Sequence, residues 1–137
     1  MKQQLIQHEG IRLKPYRCSA DKLTIGIGRN LEDKGITLDE AHFLLECDIQ
    51  ECVFDLVVGE GLFPDFYDLP EELQRVLVDM RFNLGSAGFR SFSRMIEAVK
   101  CRDWQAMKRE MMESRWYGQV GGRGANLVEM VEEVIER

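Results

Sequence analysis

The sequence predicts an α+β fold that is mostly helical, with a small antiparallel β-lobe near its start. Three observations carry that expectation. Residues 12 to 28 alternate around a Ser19-Ala20-Asp21-Lys22 turn, as the strands of a hairpin do. From Thr37 onward, apolar residues recur at helical spacing almost to the end of the chain. The chain has 137 residues, 45% of them hydrophobic, which suffices for one compact domain with at most two small lobes.

Taken in order, Lys2 to His8 forms a short helix with Leu5 and Ile6 facing inward, and Gly10 stops it. Glu9 then lies in the last turn, where the carbonyl end of the helix dipole disfavours negative charge. Apolar neighbours such as Ile11 would add desolvation, and both effects favour the protonated carboxyl that a general acid needs. On position alone, a solvated Glu beside a helix stop is the commoner arrangement. In Leu23-Thr24-Ile25-Gly26-Ile27-Gly28 the alternation puts Leu23, Ile25 and Ile27 on one face and Thr24, Gly26 and Gly28 on the other. The second face is nearly bare, and Thr24 carries its only hydroxyl. Glycines at a bulge or twisted edge would give the same pattern.

Arg29 to Ile36 is a polar connection with a Lys34-Gly35 turn. Thr37-Leu38-Asp39-Glu40 fits a capping box that starts a helix running to about Val58, with Leu38, Ala41, Leu45, Ile49, Cys52, Val53 and Leu56 as its inward stripe. Gly59 to Leu69 is a loop, and Pro70 suits the first turn of the next helix. That helix carries Leu73, Val76, Leu77, Met80 and Leu84 inward and stops at Gly85. Shorter helices are expected at about 87 to 91, 93 to 100 and 103 to 113, the last with Trp104, Met107 and Met111 buried. Ser114 to Gln119 forms a turn or short helix, Gly121-Gly122 breaks it, and Ala125 to Glu136 closes the chain.

Composition removes several function classes. A net charge of −6 argues against generic nucleic-acid binding, which needs phosphate-neutralising Lys and Arg. It also argues mildly against an anionic polymer as substrate, although Arg12, Lys14, Arg17, Lys22 and Arg29 make the β segment locally basic. No apolar run approaches the ~18 to 20 residues of a spanning helix, so no stable membrane insertion is expected. The opening MKQQLIQHEG turns polar too soon for a signal peptide. Cys47 and Cys52 lack the usual zinc-ligand spacing, and His8 and His42 have no partners at such spacing. No metal and no cofactor are expected, and Cys47, Cys52 and Cys101 count as packing or surface thiols.

A Glu-Gly helix exit at Glu9, a Tyr-containing strand, then Thr-Ile-Gly-Ile-Gly from Thr24 together resemble the active-site segment of phage-type lysozymes. In that glycoside hydrolase family the middle member of the catalytic set is usually Asp and less often Cys; here it is Cys18. Asp79-Met80-Arg81-Phe82-Asn83-Leu84-Gly85 resembles the end of the family's central helix, and Ser114-Arg115-Trp116-Tyr117 with Arg123 resembles a segment near its C-terminus. The resemblance covers nearly the whole chain in order. It implies a single lysozyme-like domain with a β-lobe at about 12–36, a connecting helix at 37–58, and a helical lobe of 59–137 plus the N-terminal helix at 1–10. The short stretch after Arg29 implies a trimmed β-lobe.

The resemblance also implies roles. Glu9 would be the acid that protonates the leaving oxygen of a β-1,4 link between amino sugars, with an oxocarbenium-like transition state to be met from the far side. Thr24 would hold the attacking water. Cys18 would act as an anionic base or cation stabiliser, as a nucleophile, or as a bystander with Asp21 substituting. A free thiol ionises near ~8.5, so a thiolate at neutral pH needs help. Tyr16 and Gly28 would line a substrate cleft from the β side, and Phe82 and Asn83 from the helical side, while Arg123 would pair near Glu9 and orient it. The expected function is that of an endolysin, a monomeric muramidase that accumulates in the host cytoplasm, acts on periplasmic peptidoglycan and depends on a separate holin for release. A catalytically impaired peptidoglycan-binding module is the alternative. A small helical regulator of protein or DNA fits the acidic, glycine-lined chain least.

Overall fold

A computed structural model describes all of residues 1–137. It has the expected α+β, mostly helical architecture. The elements are α1 (Lys2–Glu9), β1 (Arg12–Arg17), β2 (Leu23–Gly26), β3 (Arg29–Asn30), α2 (Leu38–Val58), a 3-10 turn (Phe66–Asp68), α3 (Glu71–Arg90), α4 (Ser93–Lys100), α5 (Trp104–Met112), α6 (Arg115–Val120) and α7 (Gly122–Ile135). The chain divides into two compact units, Met1–Leu45 and Glu46–Arg137, with the division inside α2. The N-terminal helix, expected to belong with the helical lobe, falls in the first unit.

The first unit is built on an antiparallel sheet of order β1-β2-β3. Tyr16 pairs with Thr24 and Arg17 with Leu23, but Arg12 pairs with Gly26, so the ladder shifts between Arg12 and Tyr16. Pro15 lies in that shift and has no N–H to give a ladder. β3 is two residues long. Asp33 N–H donates to Asn30 Oδ1 at 2.9 Å and turns the chain away. The capping box forms as expected: Thr37 N–H donates to Glu40 Oε1 at 2.9 Å, and Glu40 N–H to Thr37 Oγ1 at 3.1 Å.

Thr24 is the one buried residue of this unit, at 4% exposure. Three expectations fail for want of an apolar core here. Leu5 is exposed, and α1 buries none of its side chains. Leu38 and Leu45 are exposed, so the α2 stripe is buried only in its second half, at Cys52 and Leu56. The alternation of β2 stops at Gly26, whose φ of 70° takes it out of extended backbone, and Ile27 is exposed. Thr24 therefore faces the interior rather than a bare, open face.

The core lies in the second unit. Leu56, Phe63, Leu73, Leu77, Met80, Phe89, Val99, Met107, Met111 and Val131 are completely shielded from solvent, and Phe63 meets Phe89 edge-on at 6.4 Å. Gly85 takes φ 74° and ψ 173° inside α3. The stop expected there is a sharp kink, and the short helix expected at 87 to 91 is its second arm. Ser114 caps α6 by accepting from Tyr117 N–H at 3.2 Å. α7 starts at Gly122, three residues before the expected Ala125, because Gly121 (φ 56°) makes the break alone.

Candidate active site

Glu9, Tyr16, Cys18, Thr24 and Gly28 all belong to the first unit. Gly10 ends α1 directly after Glu9: its φ is 74° and its N–H donates to Ile6 O at 2.7 Å. Gly28 (φ 64°) meets the Glu9 carboxyl so closely that a Cβ there would lie 2.7 Å from Oε2. Glycine suits the left-handed backbone, and its missing Cβ leaves the Glu9 carboxyl where it is; a Cβ would make that exposed carboxyl swing aside. The apolar shielding expected from Ile11 is absent, since Ile11 and Glu9 are both exposed.

Cys18 follows β1 at the head of the hairpin turn. Its N–H donates to Lys22 O at 3.0 Å, its carbonyl accepts from Asp21 N–H at 2.8 Å, and Asp21 takes φ 58° to close the loop. The Lys22 N–H, then the Thr24 hydroxyl and the Ala20 N–H, hydrogen-bond the sulfur and hold the thiol below its ordinary value, against a smaller opposing effect of desolvation. Thr24 Oγ1 also donates to Lys22 O at 2.8 Å. A hydroxyl has one proton, so Thr24 serves either that carbonyl or an anion beside it. Arg17 pairs with Glu32 at 3.0 Å and donates to the Asp21 carbonyl at 3.3 Å. Asp21 is exposed in the turn. Tyr16 lies opposite Thr24 in the ladder, with the Arg12 guanidinium 4.4 Å above its ring centre.

The second unit holds the remaining candidates. Asn83 Oδ1 accepts from Trp116 Nε1 at 2.9 Å, and Arg123 Nε donates to Asp79 Oδ1 at 2.7 Å. The two segments of the second unit that carry the family resemblance, Asp79 to Gly85 and Ser114 to Arg123, are thus joined by direct hydrogen bonds. Phe82 is exposed at the end of the first arm of α3. Arg123, expected near Glu9, has Asp79 as its partner.

The sequence pattern of phage lysozymes matches residues 6–131. The chain belongs to the phage lysozyme family. It is also similar to the pre-baseplate central spike protein Gp5 of Enterobacteria phage T4, at 25% identity over 156 aligned residues. That alignment takes in 96% of this chain and 27% of Gp5, so the chain spans about a quarter of the relative's length. Membership in the phage lysozyme family supports a glycoside hydrolase of lysozyme type.

Two arrangements in this chain were not anticipated from sequence. Arg29 donates twice to Glu40, Nη1 to Oε1 at 2.8 Å and Nη2 to Oε2 at 2.6 Å. These bonds, with the Thr37 N–H, lower the Glu40 carboxyl to about 2. The capping box gave Glu40 away, but nothing marked Arg29 as its partner. Asp55 is bonded by Arg81 at 2.7 Å, Ser86 at 3.0 Å and Arg90 at 3.0 Å. Burial raises Asp55, and these three donors outweigh it, leaving the carboxyl below its ordinary value. That network ties α2 to both arms of the kinked α3. No group of three or more His, Cys, Asp or Glu side chains is clustered so as to hold a metal, and no helix is long and apolar enough to cross a membrane.

Proposed function

We propose that this chain is a muramidase, cleaving the β-1,4 link between N-acetylmuramic acid and N-acetylglucosamine in bacterial peptidoglycan. The observation that carries the reading is the Glu9 carboxyl, set at a glycine-stopped helix end directly against the left-handed Gly28. Glu9 gives its proton to the leaving glycosidic oxygen as the bond to C1 breaks. Water adds to C1, and its proton passes to a base. The Cys18 thiolate, supported by the Lys22 N–H, is the base favoured here, and Thr24 orients the water. Cys18 as a nucleophile would give a covalent glycosyl intermediate and retention instead. Cys18 as a bystander would leave Asp21 as the carboxylate. Tyr16, Gly28, Phe82, Asn83 and Arg123 are assigned to substrate binding and orientation.

The test is clearing of outer-membrane-permeabilised Gram-negative cells by the wild-type chain and by Glu9→Gln at equal concentration. Clearing by the wild type and loss of at least ~100-fold in the variant is the expected result. If both proteins bind walls and neither clears them, the chain is a binding module and the hydrolase reading falls.

The biological setting of the reaction has two readings. A free endolysin would accumulate in the host cytoplasm and be released to periplasmic peptidoglycan by a holin. The similarity to a central spike protein favours a second: the same hydrolysis by a domain of a larger virion assembly. Mass spectrometry of purified particles separates them, since the chain would be found in virions only under the second.

A further inference from the structure

We infer that the outer face of α2 in the second unit is a docking groove for a basic amphipathic helix of another protein. α2 is apolar on two sides. One side buries Cys52 and Leu56 in the core. The other carries Ile49, Val53, Phe54, Val57 and Val58, which with Tyr67 line a groove of about 390 Å³. Phe54 is 68% exposed, Val58 58% and Tyr67 70%. Exposed apolar side chains gathered in one groove with a polar rim mark an interaction surface. The groove is also rigid at its far wall: the Tyr67 ring packs edge-on against buried Phe66 at 5.3 Å, and the Tyr67 carbonyl accepts from Gln74 at 3.3 Å.

Charge selects the occupant. Between Glu46 and Glu72 there are nine acidic residues and no Lys, Arg or His. Asp55, Asp65 and Glu72 are neutralised by ion pairs with Arg81 and Arg90, Arg102, and Arg137. Glu46, Asp48, Glu51, Glu60, Asp68 and Glu71 take part in no ion pair. Glu46 lies one turn before Gln50 on the groove side, Glu60 two residues past Val58, and Asp68 next to Tyr67. A second copy of this chain would bring acidic rim against acidic rim, and an anionic lipid surface would be repelled in the same way. A helix with an apolar stripe flanked by Lys and Arg satisfies both the groove and its rim.

The probe is a fluorescein-labelled Leu/Lys amphipathic helix of about 18 residues, long enough to cover the exposed turns of α2. Its binding to the full chain is followed by anisotropy at physiological ionic strength. A sequence-scrambled peptide of the same composition and a Leu/Glu peptide serve as controls. The Leu/Lys helix should bind, and Phe54→Glu/Val58→Glu should weaken it at least about tenfold, although it makes the surface more acidic. Glu46→Lys/Glu51→Lys should also weaken it and admit the Leu/Glu peptide. All four substituted residues are exposed, and unchanged circular dichroism checks that each variant is folded. No binding, equal binding of the scrambled peptide, or undiminished binding to Phe54→Glu/Val58→Glu would overturn the inference, the last two by showing charge adsorption alone. A wild-type dimer in sedimentation equilibrium that Phe54→Glu dissociates would overturn it in favour of a second copy.

Discussion

Gly28 and Cys18 are the residues at which the chemistry is most exposed to test. Replacing Gly28 by Ala brings two costs together: a left-handed φ that disfavours a Cβ by about 1 kcal/mol, and a Cβ 2.7 Å from the Glu9 carboxyl. Glu9 must then leave its place. Gly28→Ala should lose at least about tenfold in wall hydrolysis, a larger effect than a ~1 kcal/mol loss of fold stability can explain. Thermal melts beside turbidity assays measure both. At Cys18 the converging donors lower the thiol, so the thiolate fraction rises with pH through a midpoint below that of an ordinary free thiol. If the thiolate is the base, the acid limb of the rate profile should follow that midpoint, and the alkylation rate of Cys18 should follow it too. Cys18→Asp should keep activity to lower pH, while Cys18→Ala should lose it. Full activity in Cys18→Ala would move the base to Asp21. The local structure at Glu9, Cys18 and Thr24 was legible from sequence, because a helix stop, a turn and an alternating strand each leave a local mark, while their catalytic roles came only from the family resemblance. The burial of Thr24 and the touch of Glu9 on Gly28 were not, since they depend on where β2 bends.

Among the elements, the start of α2 shows how far a local pattern reaches. Thr37 and Glu40 were legible because a capping box is written within four residues. The Arg29 pair was not, because its spacing is set by the fold of the intervening loop. Glu40 is lowered to about 2 in the folded chain against ~4.3 unfolded, so its bonds stabilise the fold fully above the unfolded value. That contribution is lost as pH falls from ~4.3 toward about 2. Glu40→Gln should therefore be less stable than wild type at neutral pH, and the difference should shrink through this window. Acid titrations of the two proteins followed by circular dichroism check it, and a constant difference down to the lowest pH would discard the pair as its source. The α2 stripe failed in its first half for a different reason. Helical spacing says which residues share a face, and only tertiary packing says whether that face is covered.

For the whole molecule, the decisive asymmetry is burial. Every shielded apolar side chain lies in Glu46–Arg137, whereas Met1–Leu45 buries one residue, Thr24, and is held by backbone ladders, turns and surface ion pairs. Exposed ion pairs such as Arg17–Glu32 contribute about 0 to 1 kcal/mol each, so they cannot replace a core. The unit that carries Glu9, Cys18 and Thr24 should thus open well before the unit that carries α3 and α7. Native-state hydrogen exchange reads this directly. Amides of β1 and β2 should exchange through a low-energy local opening, while those around Met80, Met107 and Val131 should exchange only on global unfolding. Met107→Ala, which empties a fully shielded site, should cost about 2 to 5 kcal/mol globally. It should also leave the exchange of the β1 and β2 amides almost unchanged. Equal protection in both units, or equal loss in both on Met107→Ala, would show one cooperative structure and remove local opening from any account of substrate entry.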